Sequence, residues 1–183
     1  DILPTVPTEP ITNFINDLEF NVLKISNMKT VNRSMLANPN VKGMLGVIRY
    51  GEGTYDANGY RRLFGGQLFN SYADHPRVSV TKIVNGKPLK STAAGAYQFL
   101  SSTWDETAQA LGLTDFSPAN QDFAALGRVA ARGALDDVLK GNLTLAFRKL
   151  SKEWASLPFS PYGQPVINLS RARDIFAANG GVS

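Results

Sequence analysis

Val47-Ile48-Arg49-Tyr50-Gly51-Glu52-Gly53-Thr54 closes an apolar helical pattern with a carboxylate set between two glycines. Upstream, Val41, Met44, Leu45 and Ile48 recur at helical spacing, and Asn38 or Asn40 beside Pro39 supplies a cap. The pattern predicts a helix from about residue 39 that ends at Gly51. A carboxylate there meets the negative end of the helix dipole, which disfavours ionisation by roughly 0.3–1 kcal/mol. Burial raises the pKa further. A carboxylic acid that keeps its proton near neutral pH is equipped to protonate a leaving group.

On the N-terminal side, residues 1–10 hold Pro4, Pro7 and Pro10 and read as an extended lead-in. Ile11, Phe14, Ile15, Leu18, Val22 and Ile25 then predict an amphipathic helix of about four turns. Its apolar face either packs on the main body or serves a partner. Residues 1–38 are therefore read as an N-terminal extension, and 39–183 as the main domain. On the C-terminal side, residues 53–92 turn rich in glycine, tyrosine and short β-branched runs. Val78, Val80, Ile83 and Val84 lead into Asn85-Gly86, a hairpin signal.

Helical patterns follow to the end. One runs from Ala94 to Leu111 with Tyr97, Leu100, Trp104, Ala108 and Leu111 on a face. The next is capped by Ser117-Pro118 and runs to Gly133. A short one covers Ala134–Lys140. Another is capped by Asn142 and carries Leu143, Ala146, Phe147, Leu150 and Trp154 inward. The last runs from about Pro165 to Ala178. Helix, small sheet, then many helices make an α+β domain, mostly helical, with a small antiparallel sheet on one side.

Composition narrows the chemistry. A chain of 183 residues with 43% hydrophobic content suits one cored domain, and 19% charged residues argue against disorder. There is no cysteine and one histidine, His75, too few nitrogen and sulfur ligands for a typical zinc site. No metal or other cofactor is expected. His75 precedes Pro76 and reads as a surface or hydrogen-bonded residue rather than a triad base. The net charge of +4 suits an anionic partner such as an acidic cell-wall polymer. No run of five basic residues points to nucleic acid, no stretch is long enough to span a bilayer, and no signal peptide is read at the start. A monomer is expected.

A helix that ends in a glutamate and feeds a small sheet is the layout of a glycan-cleaving cleft, with the sheet as the opposite wall. Tyr50, Tyr55, Tyr60, Phe64, Phe69 and Tyr72 offer faces to sugar rings, and Asn58, Gln67, Asn70 and Asp74 offer hydrogen bonds, although each aromatic is equally a core candidate. Glycosidic cleavage usually needs a second carboxylate. Asp56 reads as an exposed turn, Asp74 as a turn cap, and Glu106 and Glu153 as solvated helix positions. One acid stands out and no second does.

An ordered series of motifs surrounds Glu52-Gly53-Thr54. Gly65-Gly66-Gln67-Leu68-Phe69, Tyr72-Ala73-Asp74-His75-Pro76-Arg77 and Leu89-Lys90-Ser91-Thr92-Ala93-Ala94-Gly95-Ala96-Tyr97-Gln98 come first. Asp115-Phe116-Ser117-Pro118, Arg132-Gly133-Ala134-Leu135, Trp154-Ala155-Ser156-Leu157-Pro158 and Tyr162-Gly163-Gln164 follow. Over about residues 40–180 this series resembles the bacteriophage lambda endolysin family. The resemblance implies a lysozyme-like fold and a lytic transglycosylase of peptidoglycan. Such an enzyme cleaves the β-1,4 bond from N-acetylmuramic acid to N-acetylglucosamine and leaves a 1,6-anhydromuramic end. It acts on the host wall, in the periplasm, after release from the cytoplasm.

The family's catalytic glutamate maps onto Glu52. By the same resemblance Tyr97 and Gln98, in Gly95-Ala96-Tyr97-Gln98, face the substrate. Ser91 and Thr92 are helix caps or sugar contacts, Asp74 binds substrate or supports a residue that does, and Tyr162 closes the cleft or packs. If the muramyl 6-hydroxyl is the nucleophile, no second carboxylate is needed. A hydrolytic muramidase using Asp56 or Asp74 and a non-catalytic wall-binding module remain the alternatives. Two features depart from the family: a shortened Glu52–Gly65 segment, and the N-terminal extension, which has no counterpart.

Overall fold

The computed structural model describes residues 9–183, and side chains from Leu18 onward. Residues 1–8 of the expected lead-in, and the side chains of Ile11, Phe14 and Ile15, lie outside this description. Glu9 and Pro10 already belong to the first helix, α1 (Glu9–Met28).

The central helix, α2 (Pro39–Glu52), starts as its sequence predicts. Asn38 Oδ1 accepts from the backbone N–H groups of Asn40 and Val41 at 2.9 and 3.3 Å, and Pro39 occupies the first turn. The helix ends one residue later than expected: it includes Glu52, and Gly53 supplies the left-handed cap at φ 73°. Val41, Met44, Val47 and Ile48 are fully buried. On another face, Gly43 and Gly46 let helix α7 (Leu169–Ala178) come close. A methyl group at Gly43 would lie 2.8 Å from the Phe176 ring, and one at Gly46 2.5 Å from Asn179. Absence of side chains here, rather than propensity, sets the position of α2.

The rest of the domain is a hairpin of β1 (Val80–Val84) and β2 (Lys87–Ser91), then α3 (Ser101–Leu111), α4 (Pro118–Ala131), α5 (Leu135–Lys140) and α6 (Leu143–Leu150), with α7 last. Among the described residues the sheet has two antiparallel strands, with Val84 opposite Lys87 and Val80 opposite Ser91. Asn85 and Gly86 form the turn, both at positive φ (52° and 74°). The expected α+β class is therefore what forms. The core lies among the helices, around Met44, Ile48, Phe116, Leu126, Phe147, Leu150 and Phe176.

Three sequence readings are corrected. The stretch from Ala94 to Leu100 is not helical. Ala94 and Phe99 exchange backbone hydrogen bonds, and Gly95, at φ 84°, packs against Gln121 and Phe116. The turn is buried so tightly that it outweighs the helical spacing of its apolar residues. Residues 165–168 precede α7 rather than opening it, since Asn168 Oδ1 caps the helix at Arg171 N–H. Asn142 stands before α6 without a side-chain cap bond, and Trp154 lies beyond that helix.

Helix α1 packs against α4 and α3, with the described part of its apolar face left outward. Leu18, Val22 and Ile25 are exposed, at 54%, 62% and 38%. Contact is made by buried Met28, by Lys24 bonded to Glu106 at 2.8 Å, and by Arg132 over the Phe20 ring. The facing surface carries Arg128, Arg132 and Glu106, so polar partners choose the side of α1 that docks. No described helix is long and apolar enough to cross a membrane.

Candidate active site

Glu52 sits where α2 stops, and the exit from the helix is pinned. The buried Thr54 hydroxyl donates to the Ala96 carbonyl at 2.5 Å, and the Thr54 N–H donates to the Arg49 carbonyl at 2.9 Å. Arg49 Nη2 donates to the carbonyls of Thr54 and Asp56, both at 3.0 Å. The carboxyl thus projects from a fixed backbone into a cavity of about 400 Å³.

The cavity has two walls. Phe64, Leu89, Lys90, Ser91 and Ala93 come from the hairpin side. Glu153, Trp154, Ala155, Ser156, Gln164 and Pro165 come from the segment after α6. Trp154 is fixed by its indole N–H, which donates to the Tyr97 carbonyl at 3.0 Å. Ser156 is fixed by its own carbonyl, which accepts from the Ile167 N–H at 2.8 Å.

Glu52 is partly exposed to this cavity but otherwise enclosed by protein. Burial pushes its pKa up to about 7, opposed by the Ser156 hydroxyl, which donates to Oε1 at 3.1 Å. Glu52 makes no ion pair among the described residues. It is an acid able to give up a proton and take it back near neutral pH.

The two candidate second carboxylates, Asp56 and Asp74, are held by cations. Asp56 is exposed, accepts two bonds from Arg62 Nη2 at 3.0 and 2.9 Å, and closes its turn onto the Asn58 N–H. Its pKa is lowered, first by that backbone bond and then by Arg62. Asp74 is exposed and paired with Arg77, which also pairs with Asp105; Arg77 holds the Asp74 carboxyl below its ordinary value. Neither Asp56 nor Asp74 lines the cavity. Asp74 thus stands in a surface ion pair, away from the cavity wall.

Glu153, expected on a solvated helix face, is instead buried beyond the end of α6. Arg128 donates to it at 2.5 and 3.2 Å and Arg132 at 2.7 Å. Glu106 likewise meets Lys24 and Arg128.

The expected binding residues separate. Gln98 lines the cavity. It holds a left-handed backbone, φ 50°, rare for a side chain of its kind and typical of functional turns. Its Nε2 donates to the carbonyls of Arg62 and Gly95 at 3.0 and 2.9 Å. Ser91 also lines the cavity, with its hydroxyl accepting from the Ala93 N–H. Thr92 does not. Its hydroxyl caps α3 by accepting from the Ser101 N–H at 3.0 Å.

Tyr97 turns into the core, 1% exposed. Its hydroxyl and that of Tyr60 donate to the same oxygen of Asp122, at 2.5 and 2.7 Å. Burial raises the pKa of Tyr97 and of Asp122. Tyr97 therefore packs behind the site instead of facing it. Tyr162 is exposed, 56%, and is not part of the cavity wall, whereas its neighbours Gln164 and Pro165 are.

Among the proposed sugar platforms, Phe64 reaches the cavity and Phe69 is core. His75 is buried, with Nε2 donating to the Phe99 carbonyl at 2.7 Å and Nδ1 accepting from the Arg77 N–H at 2.9 Å. That pattern fixes a neutral ring, and burial lowers its pKa. Among the described residues no three His, Cys, Asp or Glu side chains group as a metal site.

The residue that sequence reading missed is Ser156. It lies in the Trp154-Ala155-Ser156-Leu157-Pro158 motif, but nothing in its chemistry ties it to a glutamate 104 positions earlier.

Known proteins match this frame. A family model described as Endolysin matches residues 42–183. The endolysin of Escherichia phage lambda is 45% identical over 129 residues, covering 67% of this chain and 80% of that protein. The endolysin of Escherichia phage P2 is 38% identical over 118 residues, covering 63% of this chain and 72% of that one. Bacteriophage lambda lysozyme solved in complex with a chitohexasaccharide superimposes with a TM-score of 0.71 at 39% identity, over 79% of this chain and 96% of that one. A second structure of the lambda lysozyme gives 0.68 at 40% identity over the same shares.

Proposed function

The chain belongs to the endolysin family, whose members degrade peptidoglycan, and from that premise we propose that it is a lytic transglycosylase with Glu52 as its one acid and base. The observation that carries this reading is a single unpaired carboxyl in the cleft, with its pKa raised to about 7, while Asp56 and Asp74 are held by arginines at the surface.

In the first half-reaction Glu52 donates its proton to the oxygen between N-acetylmuramic acid and N-acetylglucosamine, and the C1–O bond breaks. In the second, the 6-hydroxyl of the same muramic residue attacks C1, and Glu52, now a carboxylate, takes its proton. The ring closes as a 1,6-anhydro sugar, no water is consumed, and Glu52 ends as it began. Intramolecular attack profits from proximity, which supplies what a second carboxylate would contribute by activating water. Ser156 steadies the carboxylate between the two halves, and its opposing effect on the pKa keeps Glu52 able to ionise.

Gln98, Ser91, Phe64 and Lys90 form the wall against which glycan strands lie. Substrate is the glycan of the host wall, met in the periplasm once the protein has left the cytoplasm, and the protein acts as a monomer without a cofactor. Mass spectrometry of digested peptidoglycan tests the reaction. Muramic ends lighter by one water than reducing ends are expected. Reducing ends alone would overturn transglycosylation and favour hydrolysis.

A further inference from the structure

A second cavity, of about 370 Å³, opens beside the catalytic cleft and shares Gly51, Ser156 and Pro165 with it. Gly51 forms the saddle between the two. A methyl group there would come within 2.5 Å of Ser156 Oγ and 2.9 Å of Ile167 Cδ1. The passage is therefore kept bare one residue from Glu52.

The side cavity differs chemically from the cleft. Tyr50 and Ile167 give it apolar walls, and Arg171 gives it a cation. The Arg171 backbone is fixed by its N–H bond to Asn168 Oδ1 at 2.8 Å. Among the described residues its guanidinium takes part in no ion pair. A cavity of this size next to the cleaved bond is more than a linear glycan needs if it follows a single groove. What branches from a peptidoglycan strand is the peptide stem on each muramic lactyl group, and stems carry free carboxylates and small apolar side chains.

Resting on the peptidoglycan-cleaving reading above, we propose that this side cavity seats the stem peptide of a muramic residue bound at the cleft, with Arg171 pairing to a stem carboxylate. A guanidinium offers a carboxylate two parallel N–H bonds, which an ammonium does not reproduce. Tyr50 and Ile167 lie against the apolar parts of the stem. The glycan groove would then read the sugar backbone while the side cavity reads the branch.

Soluble, uncrosslinked glycan strands from one preparation supply the test, used in two forms: bearing tripeptide stems, and stripped of them by an amidase. Turnover of both forms is measured for the parent, Arg171→Gln and Arg171→Lys. Arg171→Gln is expected to raise KM for stem-bearing strands about three- to tenfold, the range for losing one partly exposed charged pair. On stripped strands it changes KM by less than about twofold, because no uniform binding is removed there. Arg171→Lys recovers part of the loss. An unchanged KM for stem-bearing strands, or equal losses on both forms, would overturn stem recognition. A parent that cleaves neither form overturns the glycosidase reading itself, and that failure is distinct from the other two.

Discussion

Glu52 and Glu153 line the same cavity under opposite electrostatic conditions. Glu153 is enclosed by Arg128 and Arg132, with three hydrogen bonds from guanidinium nitrogens at the C-terminal end of α4. Glu52 has one serine hydroxyl and no cation. Burial is common to both, so burial does not by itself make an acid. What separates them is whether a positive charge compensates the lost hydration. One carboxyl is thereby held in ion pairs, and the other, without a cation, has its pKa raised to about 7 by burial.

The largest effect that would sharpen this contrast is on activity. Glu52→Gln removes the proton donor and its conjugate base while keeping the shape. It is expected to lower kcat by about 10²–10⁴-fold, read from clearing of purified cell walls. A variant that clears walls as fast as the parent would break the contrast and return the chain to a non-catalytic wall-binding role.

Removing the cation from the other glutamate acts on stability. Arg128→Met leaves Glu153 with Arg132 alone and also frees Glu106 of one partner. A loss of about 3 kcal/mol is expected in denaturant unfolding, the lower end for breaking a buried pair because Arg132 remains. A loss near zero would mean that Glu153 does not depend on its arginines.

A smaller, pH-dependent effect checks Glu52 directly. Its folded pKa of about 7 lies above the ordinary 4.5, so the folded protein holds the proton more tightly than the unfolded chain does. Below about pH 4.5 both states are protonated and Glu52→Gln changes little. As pH rises through 4.5 to 7 the parent loses stability relative to the variant, and above 7 the gap is complete. The variant is expected to be more stable by on the order of 1–3 kcal/mol at about pH 8, measured by thermal unfolding at several pH values. A gap of the opposite sign would mean that the fold stabilises Glu52 as the anion.

Much of the frame is legible in local chemistry. Asn38-Pro39 opens α2, Asn85-Gly86 turns the hairpin and Ser117-Pro118 opens α4, because caps and turns are decided by neighbouring residues in the chain. Glu52 is legible for the same reason: its position after an apolar face and between glycines already disfavours its charge. Where the structure places a residue elsewhere than its local pattern suggests, distant partners decide. Tyr97 looks like a substrate contact until Asp122 and Tyr60 claim its hydroxyl. Asp74 looks like a binding acid until Arg77 holds it. The apolar face of α1 could pack or serve a partner by its pattern, and it is Lys24, Met28 and Phe20 that meet the main body.

By itself the sequence determined most of the helical frame, the hairpin and the place of Glu52 at the end of α2, since these follow from short-range periodicity and capping. Only the tertiary structure decided which side chains share the cavity with Glu52. It brought Ser156 to the carboxyl and placed Gln98 in a left-handed turn. It also gave cations to Asp56, Asp74, Glu106 and Glu153. Those outcomes come from packing between segments up to about a hundred residues apart, and no local pattern encodes which charges will meet.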